Sequence, residues 1–365
     1  MRYYALLFLF GIIFSVSGQQ PTETGNIEVS VFRGNIYRHA RYINHLITGH
    51  PNGILISYNR QTYGNQEWQQ AYNYPDYGFS FQYQDFENGI IGKNYALAAH
   101  YNFYFLKRHL IFRISQGIGM TTNPYDKFTN YRNNAFGSKL MSSNHFLLNY
   151  KKENIIGNVG IQAGFLFTHF SNGRIKSPNS GINTYALNVG VNYNLDQKLE
   201  YVRNDSLQNK DYSEPIRYNF VLRSGVSESD IVESGQYPFY HLGLYADKRI
   251  GRKSALSLGT DIFFSQYLKE YIKYSSVAYP NRKPTDPDTD YKRVGIVVGH
   301  ELFINKLSVE TQLGYYVYKP FRYESDVYER AGLKYYFTDK VFAGVALKAH
   351  GARAEAIELG IGIRL

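Results

Sequence analysis

The sequence feature that most constrains the fold is a two-residue alternation of side-chain type in the middle of the chain. From Ile155 to Ser171 the odd positions are almost all apolar, whereas the even positions are mostly small or polar. From Asn183 to Leu195 the odd positions are again mainly apolar or aromatic. Because successive side chains of a β-strand point to opposite faces, this pattern predicts two strands with one apolar face each. The same face carries three polar side chains, those of His169, Ser171 and Asn183.

The alternation recurs along most of the chain. Tight turns alternate with longer links at 122–140, 170–182, 227–236 and 268–290, as in barrels with short periplasmic turns and long exterior loops. The sequence therefore predicts an all-β protein, a transmembrane antiparallel β-barrel of about 14 strands within a range of 12 to 16. The candidate strands are 77–86, 93–106, 109–121, 141–151, 155–169, 183–195, 216–226, 237–249, 253–267, 291–304, 307–319, 327–338, 341–350 and 354–365, with 26–37 and 53–62 as two further segments.

Residues 1–18 resemble a secretory signal peptide, because Arg2 precedes an apolar run that ends in the small residues Ser15–Gly18. That run is short for a helical membrane span. The rest of the chain has no apolar stretch of about twenty residues, so strands would have to provide any membrane residence. We therefore expect a signal peptide at 1–18 and, at 19–365, one barrel domain in the bacterial outer membrane.

Composition supports the barrel and limits the chemistry. The chain has 36 Tyr, 24 Phe and 32 Gly, which suits an aromatic outer band and a small or polar lumen better than a soluble β-sandwich. The absence of Cys excludes disulfides and thiol chemistry. The formal net charge of +10 favours an anionic partner, and for an exported barrel we expect phosphorylated lipid and no nucleic acid.

The three polar residues on the apolar face have the types of a nucleophile, its base and the group that orients the base. If 170–182 joins two antiparallel neighbours, Asn183 lies beside His169 across the ladder. Ser171 would then attack an ester carbonyl, His169 would act as general base and acid, and Asn183 would orient the ring. The alternative is that all three are polar residues of the barrel rim, beside the aromatic girdle.

The segment after the nucleophile supplies the remaining site residues. We expect the oxyanion to be bound by backbone N–H groups of 171–173, with Asn172 as a side-chain donor and Gly173 allowing a tight backbone. Arg174 and Lys176 are candidates for contact with lipid phosphates, and a solvated loop is the alternative. No metal site is predicted.

Other polar residues have structural interpretations. The three histidines of the loop after the first segment fit no metal-ligand spacing, so we expect them in a solvated loop: His39, His45 and His50. The two-residue alternation places five more polar residues on the lumen face of their strands, where an interior network is expected: His100, Lys348, His350, Glu358 and Arg364.

The segments T-H-F-S-N-G-R at 168–174 and P-N-S-G-I-N at 178–183 resemble the outer-membrane lipid A 3-O-deacylase family, acyloxyacyl hydrolase-like barrels that remove an acyl chain from lipopolysaccharide. The resemblance covers 77–195 and implies that His169 and Ser171 form the catalytic pair. The family's acid falls on Asn183, a departure that predicts slower chemistry, because an amide cannot stabilise imidazolium with a full charge.

The same motif also resembles outer-membrane phospholipase A, whose site has an Asn fourteen residues after the His, as Asn183 follows His169 here. That resemblance implies calcium near Arg174, but Lys176 stands where an oxygen ligand would be needed, so we expect no cofactor unless the phospholipase hypothesis holds. Lipid A deacylation is the leading hypothesis and phospholipase A the second. A non-catalytic barrel, serving as a pore or structural protein, is the third.

Overall fold

A computed structural model describes residues 22–203, 212–279, 285–351 and 353–365. The predicted signal peptide at 1–18 lies outside these residues. The described chain forms two closed, antiparallel eight-stranded barrels, each assembled from strands that are consecutive in sequence. The strands of the first barrel are β1 (Glu23–Ile36), β2 (Asn52–Thr62), β3 (Asp76–Asp85), β4 (Lys93–Phe105), β5 (Leu110–Thr121), β6 (Leu140–Ile156), β7 (Val159–Ser171) and β8 (Ile182–Asn194).

The second barrel begins after the link that follows β8. Its strands are β9 (Arg217–Ser227), β10 (Tyr237–Arg249), β11 (Ser254–Ser265), β12 (Arg293–Ile304), β13 (Leu307–Tyr318), β14 (Val327–Tyr336), β15 (Val341–His350) and β16 (Arg353–Arg364). The first barrel is closed by pairing of β1 with β8, where Val29 lies opposite Val191. The second is closed by pairing of β16 with β9, where Ile361 lies opposite Leu222.

The all-β prediction is confirmed and the strand number lies at the upper end of the predicted range of 12 to 16, but the prediction of a single barrel is wrong. The described chain has sixteen strands, because the two N-terminal segments 26–37 and 53–62 join the wall as β1 and β2, and these strands close into two barrels. Alternation along a strand reports which side chains share a face. It contains no information on whether β8 pairs forward with β9 or back with β1.

Both lumens are filled by buried polar side chains. In the first barrel, Glu28 is paired with Arg113 at 2.6 Å and with Lys151 at 2.9 Å. In the second, Arg330 bridges Glu358 at 2.6 Å and Asp261 at 2.8 Å. Buried charges persist only when paired and hydrogen-bonded, which these are. The five side chains predicted to face a lumen are buried, as expected: His100, Lys348, His350, Glu358 and Arg364.

Short helices lie outside the barrel walls. A 3-10 helix (Arg41–Leu46) follows β1, and α1 (Glu67–Ala71) follows β2. The helix α2 (Gln266–Ala278) continues from β11 in the region predicted to be a long loop. No helix in the described part of the chain is long and apolar enough to cross a membrane.

Candidate active site

The strand β7 presents His169 and Ser171 on the outer face of the first barrel. The alternation of burial shows this directly, because Leu166 and Phe170 are buried on the inner side, whereas Phe165 is 65% exposed. His169 is half-buried, and Ser171 at the end of the strand is buried under the loop that follows. The apolar stripe of the strand therefore leads up to these two polar side chains.

The side chains of Ser171, His169 and Asn183 form one hydrogen-bonded series. His169 lies directly opposite Asn183 in the β7–β8 register. The distance from His169 Nδ1 to Asn183 Oδ1 is 2.6 Å, and that from His169 Nε2 to Ser171 Oγ is 2.9 Å. An amide oxygen only accepts, so Nδ1 carries the proton and Nε2 keeps a lone pair that accepts from the serine hydroxyl. This is the tautomer that a general base requires.

A fourth side chain, His39, extends this series on the far side of Asn183. His39 Nδ1 lies 3.4 Å from both Asn183 Nδ2 and the Tyr37 carbonyl oxygen, and His39 Nε2 lies 3.1 Å from the Ser180 carbonyl oxygen. The shorter of the two carbonyl contacts assigns the proton to Nε2. The His39 lone pair thus faces the amide N–H groups of Asn183 and keeps the amide oxygen turned towards His169. His39 was expected in a solvated loop. It reaches the site because β1 closes the barrel against β8, and the Tyr37 N–H donates to the Asn183 carbonyl oxygen at 2.8 Å.

Asn172 organises the loop that follows the nucleophile. Its Nδ2 donates to Ser138 Oγ at 2.9 Å and to the Lys176 carbonyl oxygen at 2.7 Å. Its backbone N–H donates to Asn179 Oδ1 at 2.8 Å, and its Oδ1 accepts from the Arg174 N–H at 3.0 Å. Both side-chain donors are therefore committed, one to the β5–β6 loop and one to the loop that contains Asn172. The expectation that Asn172 supplies a side-chain donor to the oxyanion is wrong for this conformation, and its role is structural.

Two glycines give the loop its shape next to the site. Gly173 has φ +60°, and its N–H makes no hydrogen bond within the described residues. Gly181 has φ +66°, and a Cβ at this position would lie 3.1 Å from Ser171 Cβ and 3.3 Å from His169 Cε1. Both positions require a left-handed backbone, which glycine adopts without steric cost. The oxyanion role of Gly173 stays a prediction, and Gly181 is a residue next to the site that the sequence analysis missed.

The structure contradicts the assignment of Arg174 to lipid phosphates. The Arg174 side chain is buried, and its Nη2 donates to Glu324 Oε1 of the second barrel at 3.3 Å. A buried guanidinium that is paired with the half-buried Glu324 carboxylate is not available to a lipid head group. Lys176 is half-buried, and its contact with lipid phosphate stays a prediction.

The residues present do not fit a calcium ion beside the nucleophile. The amide oxygens of Asn172 and Asn179 already accept hydrogen bonds from backbone N–H groups of the loop. In the second barrel, Glu324, His350 and Glu355 lie close enough together to share an ion. However, Arg293 and Lys348 contact these carboxylates and occupy the place of a metal cation.

Two family models match the chain. Residues 52–192 match the model described as "Lipid A 3-O-deacylase (PagL)", which contains β2 to most of β8. Residues 216–365 match the model described as "Acyloxyacyl hydrolase, C-terminal domain", which contains the whole second barrel. The two matches together cover most of the chain and include every strand from β2 to β16. The first match begins upstream of the region 77–195 in which the sequence resemblance was seen.

Solved structures show only weak similarity to this chain. The Acinetobacter baumannii outer membrane protein Omp33 is 10% identical, and the alignment covers 95% of this chain and 100% of that chain with a TM-score of 0.19. A mutant porin of Rh. blastica is 10% identical, with 94% of this chain and 99% of that chain covered and a TM-score of 0.19. Superpositions this weak carry no argument. No curated protein matches the chain.

Proposed function

Because this chain belongs to the lipid A 3-O-deacylase family, we propose that it is a serine esterase that removes an acyl chain from the lipid A part of lipopolysaccharide. The protein resides in the bacterial outer membrane, and its family consists of hydrolases that act on an ester. The observation that carries the proposal is the series from Asn183 through His169 to Ser171, with each polar atom within 2.9 Å of the next.

The proposed reaction follows from this tautomer. Ser171 Oγ attacks the ester carbonyl carbon while His169 Nε2 takes the hydroxyl proton. The carbonyl oxygen becomes an oxyanion, for which the unpaired N–H of Gly173 is the donor that we assign. Collapse of the tetrahedral intermediate breaks the ester C–O bond, and His169 returns the proton to the leaving alkoxide. His169 then deprotonates water, which attacks the acyl-serine carbonyl carbon. The bond from this carbon to Ser171 Oγ breaks, His169 returns the proton to Oγ, and a free fatty acid is released.

The outward orientation of the series supports a lipid substrate. Below the site, the wall of β7 and β8 exposes large apolar side chains, among them Phe165 at 65% and Leu187 at 64% exposure. A barrel wall of this composition faces acyl chains. In the proposed complex, an acyl chain of the substrate lies along this wall and its ester reaches Ser171 at the rim.

Asn183 sets the expected rate. An amide holds the ring tautomer as a carboxylate does, but it supplies no negative charge to the imidazolium that forms during attack. We therefore propose an enzyme that is competent but slower than a relative with a carboxylate at this position.

Phospholipase A activity is the second candidate, and the contact between Asn183 and His169 favours it. The motif implied an asparagine in this role for outer-membrane phospholipase A, and the two side chains lie 2.6 Å apart. Calcium would accompany that activity, whereas the oxygens next to Ser171 are engaged in the loop. For this reason deacylation of lipid A remains the leading proposal.

The test is mass spectrometry of lipid A and phospholipids from cells that express the chain or its Ser171→Ala variant. Loss of one acyl chain from lipid A in cells with the wild-type chain, but not in cells with the variant, supports the proposal. Lysophospholipid that forms only when Ser171 is present supports the second candidate. If neither lipid A nor the phospholipids change in a Ser171-dependent way, the result supports a non-catalytic barrel. Ser142→Ala is the matched control, because Ser142 lies opposite Ser171 in the β6–β7 register and lies outside the hydrogen-bonded series.

A further inference from the structure

The loop that follows the nucleophile, residues 172–181, is held by the second barrel. Ser177 is its main anchor. The Ser177 N–H donates to Glu228 Oε2 at 2.7 Å, and Ser177 Oγ donates to the Ser229 carbonyl oxygen at 2.6 Å. Glu228 and Ser229 belong to the β9–β10 loop, residues 228–236. All three residues are buried, so neither contact competes with bulk water.

The Glu228 carboxylate has no cationic partner among the described residues, and it is used as an acceptor for backbone N–H groups. Besides Ser177, its Oε1 accepts from the Gly235 N–H at 3.0 Å within its own loop. Its own N–H donates to the Arg174 carbonyl oxygen at 3.0 Å. Hydrogen bonds from backbone N–H groups to a buried carboxylate are charge-assisted and directional. Glu228 thus joins the nucleophile's loop to the β9–β10 loop through atoms of fixed geometry.

The Arg174 side chain makes a second connection. Its guanidinium lies over the Tyr267 ring at 4.6 Å and pairs with Glu324 at 3.3 Å and Asp230 at 3.8 Å. Burial opposes the positive charge, but the neighbouring Tyr267, Glu324 and Glu355 groups outweigh it, so the pKa of Arg174 is raised. Arg174 therefore stays charged and fixed to the second barrel at any physiological pH.

The backbone between the nucleophile and these anchors also touches the second barrel. A Cβ on Gly173 would lie 2.3 Å from Ile357 Cγ1 of β16, so the backbone at Gly173 packs tightly against that wall. Gln236 Nε2 donates to the Ile175 carbonyl oxygen at 2.9 Å. Successive residues from Gly173 to Ile175, and then Ser177, are each in contact with the second barrel. The N–H assigned to the oxyanion belongs to the first of these residues.

We propose that the second barrel is a positioning part of the active site of the first, and that Glu228 is its principal positioning residue. The site residues Ser171, His169 and Asn183 all belong to β7 and β8, but the backbone donor for the oxyanion belongs to a loop whose conformation depends on the β9–β10 loop. The inference rests on the proposed function. It gives the second barrel a role in catalysis, although none of the three side chains of the series belongs to that barrel.

The experiment compares Glu228→Ala, Glu228→Gln and wild type in purified full-length protein, with lipid A in detergent micelles as the probe. Misplacing a transition-state donor by about 1 Å costs up to about a hundredfold in rate. We expect Glu228→Ala to lower kcat by at least about tenfold with KM within about threefold of wild type, because acyl-chain contacts on the β7–β8 wall are unaltered. Glu228→Gln keeps one acceptor oxygen and is expected to recover part of the lost kcat.

The matched control is Glu233→Gln. Glu233 forms an exposed ion pair with Lys127 at 2.9 Å, which also joins the two barrels but does not touch the loop 172–181. We expect wild-type kcat for this variant. An equal fall in kcat for Glu233→Gln and Glu228→Ala would assign the effect to barrel association in general and would overturn the role of Glu228.

Hydrogen exchange separates this proposal from the proposed function. In Glu228→Ala, amide exchange is expected to speed up in 172–181 and to stay unchanged in β7 and β8, even if the wild type hydrolyses no lipid. A protein without esterase activity that shows this change would refute the function and retain the positioning. Unchanged exchange in 172–181 together with unchanged kcat would refute the positioning and leave the function intact.

Discussion

His241 Nδ1 lies 2.6 Å from Glu358 Oε1 in the lumen of the second barrel, the same distance that separates His169 Nδ1 from Asn183 Oδ1 on the wall of the first. The other ring nitrogen of His241 lies 3.1 Å from Ser265 Oγ. The lumen therefore contains a serine, a histidine and an acid in hydrogen-bonding order. All three side chains of this lumen series are fully buried, whereas His169 and Asn183 of the series on the wall are only half-buried.

We expect the lumen series to be structural, because Ser265 Oγ also accepts a hydrogen bond from Arg293 at 3.0 Å and Glu358 is paired with Arg330. Ser265→Ala is predicted to keep the deacylation rate within about twofold of wild type, whereas Ser171→Ala lowers it by at least about a thousandfold. Rates of fatty-acid release from lipid A by the two purified variants check this. A large loss for Ser265→Ala, with the barrel still folded, would show that the lumen series takes part in the reaction.

Asn183 is predicted to orient His169 without supplying charge. Replacement by alanine removes one hydrogen bond of about 1–1.5 kcal/mol, which corresponds to a fall in kcat of about tenfold. Replacement by glutamate keeps the acceptor and adds a charge for the imidazolium, so activity is expected to persist or rise. Steady-state kinetics of Asn183→Ala and Asn183→Glu provide the test. Indifference of kcat to both substitutions would remove Asn183 from the site.

His39 is predicted to act only through the orientation of the Asn183 amide. His39→Ala should lower kcat by about two- to fivefold in the wild-type background, since one weak hydrogen bond is lost. In the Asn183→Glu background the same change should have little effect, because a carboxylate presents an oxygen to His169 in either orientation. A double-mutant cycle on kcat measures this coupling. Equal losses in both backgrounds would point to a different role for His39.

Gly181 is predicted to be intolerant of alanine because of the space next to the site. A Cβ there would press against Ser171 and His169, whose distances to it are 3.1 and 3.3 Å. The matched control is Gly157→Ala, because Gly157 also has a positive φ, +57°, but has nothing within 4 Å of its Cβ position. Both changes share a backbone cost of about 1 kcal/mol. Only Gly181→Ala should lower kcat, by about tenfold or more, and similar kinetics for the two variants would contradict this.

The strand pattern was recoverable from the sequence because it is local. All sixteen strands correspond to segments with alternating side chains, and parity places the apolar side chains of β7 and β8 on one face. The predicted boundary between the strands 141–151 and 155–169 is displaced, since β6 continues to Ile156 and the chain turns at Gly157. The helix α2 replaced part of an expected loop, because its apolar residues Leu268 and Ile272 pack against aromatic residues from other loops.

The rest depends on non-local contacts. Closure of β1 onto β8 determines both the number of barrels and the approach of His39 to Asn183, and neither follows from the order of residues along one strand. The burial of Arg174 has the same origin, since its partner Glu324 lies 150 residues further along the chain. In the sequence, Arg174 is a cation in an exterior loop with no nearby acidic partner, which predicts contact with lipid phosphates. Its partner Glu324 comes close only when the second barrel has formed.

The central claim is that Ser171 is an activated nucleophile on the outer face of the first barrel. The most direct measurement is mass spectrometry of the purified protein after treatment with a lipid-like fluorophosphonate, which transfers its phosphonyl group to an activated serine and releases fluoride. The account predicts one phosphonyl group per chain, located on Ser171, with labelling slowed by at least about a hundredfold in His169→Ala. A wild-type protein that stays unlabelled at Ser171, or labelling that is indifferent to loss of His169, would contradict it.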